Sequence, residues 1–560
     1  MHSNCKRRSD EKLEVEEYMK KFEQLNKYNI EEDWSRLTNE YPHALTDFHG
    51  SGTPCIYKTG RRWPVASGPG SHKITRVARP IYNHRIQPIW VKTAFAVADK
   101  LDSLQFQWST IDPLAYANAG QAKLLICEFV IVIGVQSRSL AFKDAVAAAK
   151  AVMKILEDVG FPDIEVAFVE SIYRNSVTGS ELMTFDPSSD LPDLPALRKP
   201  FTPTLGLSIS PFQMRHIAGS GGLFFRLSGR EGDERVVLLT CAHVSRPLGL
   251  PFATNNVYTH QTDSGSREDV LLLGERAFER AVDAIHDFIS IQEESISAGQ
   301  LKLRSLENEV PIHTQRYNQY VTAIDGARDK LAAAQELLTT VLTNFQSAES
   351  RVFGFVLHCA KIEVRNYHMH DWSFIQLDEG KIDWTEFQGN RLFVGGNKTV
   401  ADWKKYMNHD GSCPPPVDML LPLEGHIDEA GFNNPQDVDI HDETCLLAVK
   451  NGSVTGTTFG RVNGLESIIR QYPEQYGIKQ PWVEFIVCSY DKKTGEDTKF
   501  SDDGDSGSFV VGRDGRLIGL LTGGSGPLER VDKSYITPYW ALHAAMDEAF
   551  PGCHPIPATT

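Results

Sequence analysis

The feature that most limits what this chain can become is a serine on a glycine-flanked loop directly ahead of two apolar runs. Gly504-Asp505-Ser506-Gly507-Ser508 is followed by Phe509-Val510-Val511, a turn Gly512-Arg513-Asp514-Gly515-Arg516, and the apolar run Leu517 to Leu521. Two short apolar runs separated by glycine and aspartate read as a β-hairpin. Ser506 is therefore presented at the entry to that hairpin. Asp-Ser-Gly also favours a turn for its own sake, so the loop carries chemistry only if the chain supplies a base and an acid.

Both are present upstream. Thr240-Cys241-Ala242-His243-Val244 follows the apolar strand Val236 to Leu239, and His370-Asp371-Trp372-Ser373-Phe374-Ile375-Gln376-Leu377 opens another strand. A serine hydroxyl is a weak nucleophile until a neighbouring base takes its proton and a third group orients that base. The order along the chain is histidine, aspartate, serine.

These residues resemble the motifs of the chymotrypsin-fold (trypsin-like) serine peptidases: a histidine at the end of a T-A-A-H-like strand, an aspartate opening a strand, and a serine in G-D-S-G-G. The resemblance implies that His243 is the general base, Asp371 fixes its tautomer and Ser506 is the nucleophile. It implies an oxyanion hole from the backbone N–H groups of Gly504 and Ser506, donors worth about 2.7–4 kcal/mol each in related chemistry. Thr522, Gly523 and Gly524 resemble the strand that lines the primary substrate pocket. Lys450 to Gly460, with Gly452, Thr455, Gly456, Thr458 and Gly460, resembles the hairpin that opens the second barrel in intracellular and viral relatives.

The departures are small. Ser508 stands where the family has its final glycine, and Cys241 lies two residues before His243, where no disulfide is implied. The family aspartate matching Asp505 pairs with a newly cut N-terminus in secreted members. Here the barrel follows an intact upstream chain, which implies another partner for Asp505. Asp378 and Asp383 lie near Asp371 and remain alternatives to it. The pair His368 and His370 lacks an acid or thiol at ligand spacing, so the metal reading yields to surface histidines.

The composition of the 560 residues narrows the field: 41% are hydrophobic, enough for sizeable cores, and the net charge is −16. That charge opposes nucleic acid and anionic membrane surfaces as partners; a peptide or protein substrate is what the peptidase resemblance implies. Nine cysteines are scattered singly with no C-x-x-C, so neither a zinc ribbon nor a disulfide framework is expected. Reduced thiols and the lack of an apolar leader at the N-terminus point to a cytoplasmic or nuclear protein. The most apolar run, Leu124 to Val135, is too short for a membrane span of ~20 residues and reads as a buried strand. No organic cofactor or metal is expected.

Taken in order, residues 1–75 read as a lead-in with a short charged helix from Leu13 to Tyr28. Residues 76–185 alternate helix and strand: helix Ile89 to Leu104, strand Leu124 to Val135, Ala-rich helix Leu140 to Val159 stopped by Gly160, strand Ile164 to Tyr173. That pattern predicts a small α/β accessory domain, with no phosphate-binding glycine motif. Residues 186–205 are a proline-rich linker, and 206–560 form the peptidase-like region. Gly219-Ser220-Gly221-Gly222 opens a strand and is read as a turn.

His243 and Asp371 lie 128 residues apart, more than half a compact barrel requires. Residues 274–350 account for the excess. Phe278, Val282, Ile285, Ile289, Ile296, Leu303, Leu306 and Val310, then Tyr317, Val321, Ile324, Leu331, Leu338, Leu342 and Phe345, keep 4-3 or 7 spacing, with Pro311 between the runs. The pattern predicts an antiparallel helical hairpin of about 35 residues an arm, roughly 50 Å long. Arg328 and Gln335 fall at core-like positions of its second seam, which favours an intramolecular hairpin over a long dimeric coiled coil.

The expected fold is thus multidomain α+β: a small α/β domain, then a trypsin-like double β-barrel carrying a coiled-coil insertion. Two functions follow. The first is a serine endopeptidase acting through His243, Asp371 and Ser506. The second is an inactive peptidase-fold scaffold that binds a protein partner through the hairpin and the N-terminal domain.

Overall fold

The computed structural model describes residues 76–118, 124–135, 139–174, 191, 194–227, 235–250, 255–260, 267–306, 310–378, 380–384, 387–471, 475–490, 499–526 and 533–558, together with 40–41, 43–44, 48, 55–63, 183 and 185. The expected helix Leu13 to Tyr28 and most of the lead-in lie outside these residues. The chain is mixed α and β, built on two large sheets.

The N-terminal part forms as its hydrophobic pattern dictates. The β-branched run becomes the strand Leu125–Val135, and the Ala-rich segment becomes the helix Phe142–Asp158, ended by Gly160 at φ +89°. The strand Leu125–Val135 runs parallel to Glu165–Glu170, with that helix as the crossover between them. A second helix, Trp90–Ser103, packs beside the first. Trp90, Val97, Leu101, Ala148 and Val152 bury their apolar stripes against Ile131, Ile133 and Phe168 of the sheet.

The sheet does not end there. Trp108–Asn118 pairs with Gly456–Ile469 through Ile111↔Ile468, and Ile172–Arg174 pairs with Leu517–Gly526 through Gly524↔Arg174. Strands of the 76–185 segment thus continue into the C-terminal strands as one 15-stranded sheet. Lys533 Nζ, 2.6 Å from the buried Asp112 carboxylate, ties the two parts again. The expected strand Ile164 to Tyr173 is split at Ser171, so that Glu165–Glu170 serves the N-terminal part and Ile172–Arg174 the C-terminal strands.

The second sheet has nine strands and carries Val236–Thr240, flanked by Leu223–Arg226 and Ser373–Leu377, then Val352–Cys359, Asp269–Leu272, Leu207–Pro211 and Gly219–Gly221. Gly219–Gly221 is itself a strand, paired with Leu207–Ile209, and not the turn that its glycines suggest. One apolar core is shared by the two sheets, from Leu223, Leu238 and Phe374 to Leu447, Phe509 and Leu520.

The segment 274–350 forms the two helices Glu275–Leu306 and Val310–Phe345, packed along each other. The seam differs from its expected course near the base. Ile324, Ala327, Ala334, Leu337, Val341 and Phe345 are buried, while Leu338 is half-buried and Leu342 exposed. Arg328 and Gln335 are exposed, so neither occupies the core-like position its spacing suggests. The cause is a third partner. The proline-rich stretch folds into the short helix Leu194–Arg198 and a 3-10 turn Lys199–Phe201, whose Phe201 stacks on Phe345 at 5.7 Å. Burying Leu194 and Phe201 against the hairpin contributes about 1.5–3 kcal/mol each and rotates the second helix toward them.

Candidate active site

Strand register brings the two upstream residues together. Val236–Thr240 pairs antiparallel with Ser373–Leu377, Thr240 opposite Ser373. Leaving the strand beyond Thr240 and entering it before Ser373 are then events at the same sheet end. A one-turn helix, Ala242–Ser245, carries His243, and Asp371 occupies the two-residue gap between His368–His370 and Ser373–Leu377. The Asp371 carboxylate receives His243 twice: Oδ2 lies 2.5 Å from Nδ1, and Oδ1 accepts the His243 backbone N–H at 3.0 Å. Both residues are buried. The other ring nitrogen, Nε2, is buried and has no hydrogen-bond partner among the described residues. The alternatives to Asp371 are placed elsewhere: Asp378 pairs with Arg267 at 2.6 Å, and Asp383 lines a cavity at the base of the hairpin.

The serine loop is stitched to the same place. Leu521 O accepts the Gly507 backbone N–H at 2.8 Å and the Cys241 thiol at 3.4 Å. A single carbonyl thus holds the residue after Ser506 and the residue two before His243. Ser220 adds two links: its N–H donates to Ser506 O at 2.8 Å, and its own carbonyl accepts the Thr240 hydroxyl at 2.8 Å.

This closeness explains the glycines. A Cβ on Gly219 would lie 2.5 Å from a Val244 methyl and 2.9 Å from Ser506 O; one on Gly222 would lie 2.6 Å from Gly507 O. Gly507 itself has φ +90°, and a Cβ there would meet Ser220 O at 2.1 Å. The glycine-rich stretch is a docking face for the serine loop, a role its sequence does not announce.

The Ser506 hydroxyl donates to Thr522 O at 3.2 Å. Gly504, at φ +112°, has its carbonyl held by the hydroxyls of Ser453 at 2.6 Å and Ser220 at 3.1 Å. Thr522, Gly523 and Gly524 lie on Leu517–Gly526, whose one edge is filled by Lys533–Pro538. On the other edge Leu521 O holds the serine loop and Gly524 to Gly526 pair with Ile172–Arg174, which leaves Thr522 and Gly523 between them beside Ser506.

The groups around His243 are buried. Burial pushes the Cys241 thiol well above its usual range, so it stays protonated as it donates to Leu521 O. Glu484, fully buried, is driven well up by burial, with a Thr537 hydrogen bond opposing and the Asp371 charge adding. Sequence reasoning missed Glu484, because a single glutamate in a β-branched strand carries no signal of its neighbours.

Cys241, His243 and Asp371 place their ligand-type atoms within 4.8 Å of one another. A metal would need the thiolate and a free carboxylate oxygen. Here the Cys241 thiol is engaged with Leu521 O, and both Asp371 oxygens are held by His243. His368 and His370 are part of no such group among the described residues. The eight described cysteines form no disulfide. No described helix is long and apolar enough to cross a membrane. A scan of protein-family models and a search of curated proteins find no match to this chain.

Proposed function

We propose that the protein is a serine endopeptidase and that its two sheets form a trypsin-like pair of β-barrels meeting at Ser506. The observation that carries the reading is the locked histidine: Nδ1 is committed to Asp371 while buried Nε2 is left without a partner, at the junction where the serine loop docks. A buried ring nitrogen left unsatisfied costs about 1–3 kcal/mol, which a proton acceptor for Ser506 would justify.

In this mechanism the Ser506 hydroxyl leaves Thr522 O and turns to Nε2. Oγ attacks the carbonyl carbon as Nε2 takes its proton, and the N–H groups of Gly504 and Ser506 receive the oxyanion. The C–N bond then breaks, the amine departs with the proton from Nε2, and water releases the acyl group by the reverse sequence. Asp371 keeps the proton of Nδ1 in place throughout. Peptide is the favoured substrate class because the edge of Leu517–Gly526 already holds one extended segment antiparallel, Ile172–Arg174, and an extended peptide offers the same backbone groups to Thr522 and Gly523.

The test is acylation by a fluorophosphonate probe together with hydrolysis of a mixed peptide library. Both are expected in the wild type and lost in Ser506→Ala; folded wild type that shows neither overturns the reading. A second reading, an inactive scaffold, draws on one observation: Ser506 is 1% exposed with its hydroxyl on Thr522 O, while the hairpin exposes Ile291 and Leu301. The same absence of labelling would favour it, with binding of a protein partner through the hairpin as its positive sign.

A further inference from the structure

We propose that Lys450 is a positioning residue for Ser506: its ammonium, paired with the buried Asp505 carboxylate, holds the Asp502–Ser506 loop in working shape within the uncut chain. The inference rests on the reading of Ser506 as a nucleophile.

Asp505 precedes Ser506 and is fully buried. Its Oδ1 accepts the N–H groups of Val454 at 3.0 Å and Thr455 at 3.3 Å. Its Oδ2 accepts the Thr455 hydroxyl at 2.6 Å and the Asp502 N–H at 3.1 Å, with Lys450 Nζ 3.2 Å away. One carboxylate therefore fastens the start of its own loop to the turn between Thr444–Gly452 and Gly456–Ile469. Its backbone carbonyl meanwhile accepts the N–H and hydroxyl of Ser508, at 2.9 and 2.6 Å, which closes the loop around Ser506.

An isolated carboxylate in such a place would be strongly penalised by desolvation. Lys450 offsets it, and its side chain is as buried as that of Asp505. Nζ also donates to the Thr455 hydroxyl at 2.6 Å and lies 5.5 Å from the Phe500 ring centre. Cation, hydroxyl and carboxylate thus form a closed relay.

The other charges that face this pair are Asp502, Lys199 and Lys398. Burial pushes the Asp505 carboxyl up, but Lys450, Thr455 and the backbone N–H groups outweigh it and hold the group below its usual range. Lys450 is lowered by burial, with Asp505 opposing. Lys199, which donates to Asn451 Oδ1 at 2.8 Å, is lowered to about 7 by burial and by Lys450, so near neutral pH it adds less than a full second positive charge.

The sequence supplies this cation from inside the chain, so no new chain end is required to hold the loop. The experiment uses the full 560-residue protein as wild type, Lys450→Met, Lys450→Arg and the double variant Lys450→Met/Asp505→Asn, which removes both charges of the pair together. Fluorophosphonate acylation rates and hydrogen exchange across residues 502–508 are measured on each, with intact mass of the labelled species.

Wild type is expected to label as the uncut chain, and Lys450→Arg to keep most of the rate. Lys450→Met and the double variant are expected to label about 100-fold more slowly, the loss typical of a displaced oxyanion donor, and to exchange loop amides faster. A double variant that labels within about threefold of wild type overturns the proposal, as does label found only on a cleaved chain. Should wild type itself not label, the nucleophile reading falls separately and the exchange data decide alone: unchanged loop protection in the folded double variant overturns the role of Lys450, and faster exchange upholds it as a holder of the loop.

Discussion

Two buried aspartates behave differently. Asp112 is satisfied on every side: Oδ2 accepts Lys533 at 2.6 Å and Thr110 at 3.0 Å, and both oxygens lie within 3.2 Å of the Tyr535 hydroxyl, which is itself 2.8 Å from Ser525. Asp371 is equally buried and also fully used, yet its partner His243 is left with an orphaned nitrogen. A complete network is what a structural clamp needs, and this one joins Trp108–Asn118 to Lys533–Pro538. An incomplete one is tolerated where an incoming group will complete it. The orphan by itself marks nothing, since the indole nitrogens of Trp63 and Trp372 also have no hydrogen-bond partner among the described residues. What sets Nε2 apart is that its ring is locked from the other side and the serine loop shares its junction.

Exchanging each aspartate for asparagine separates the two roles with the largest effect. Asp371→Asn is expected to reduce the acylation rate by about 10⁴-fold, because the amide no longer selects the required tautomer, while cooperative unfolding persists. Asp112→Asn is expected to do the reverse. Leaving Lys533 buried without its anion costs about 3–5 kcal/mol in urea denaturation, and the acylation rate per folded molecule stays near wild type. If Asp112→Asn abolished labelling at unchanged stability, the division into clamp and site would be wrong.

A smaller effect sharpens the same contrast through pH. His358 is buried, stacked on Trp372 beside Asp371, with Nδ1 2.9 Å from the Thr259 hydroxyl, and burial lowers its pKa to about 4. Between pH 6.5 and 4 the unfolded chain takes up a proton at this position and the folded chain does not. Stability is therefore expected to fall as pH drops through that window, by about 3 kcal/mol in all, and His358→Phe should flatten the slope. Denaturation midpoints at pH 7, 5.5 and 4.5 check this.

Much of the site was legible because each part announces itself locally. The apolar strand before His243, the strand after Asp371 and the hairpin after Ser506 need only short-range pattern; register then joins the first two, and Ser220 and Leu521 O dock the third. What stayed hidden depends on distant partners. Gly219 and Gly222 look like turn residues, yet they clear space for a loop nearly 290 residues away. Lys450 sits in an ordinary strand, and nothing local tells that Asp505 will lie against it. The hairpin helices were legible from their spacing, but the turn of the second seam toward Leu337 and Val341 was set by Phe201, on a stretch whose prolines read as linker. The continuation of the N-terminal strands into the C-terminal sheet rests on pairings between residues 350 or more apart, for which no periodicity exists.

The most direct measurement is the mass-spectrometric position of a fluorophosphonate adduct on the wild type and on His243→Ala. One adduct is expected, on the peptide bearing Ser506, and it is missing from His243→Ala treated alike. An adduct on another residue, or an equal yield at Ser506 without the imidazole, would contradict the triad.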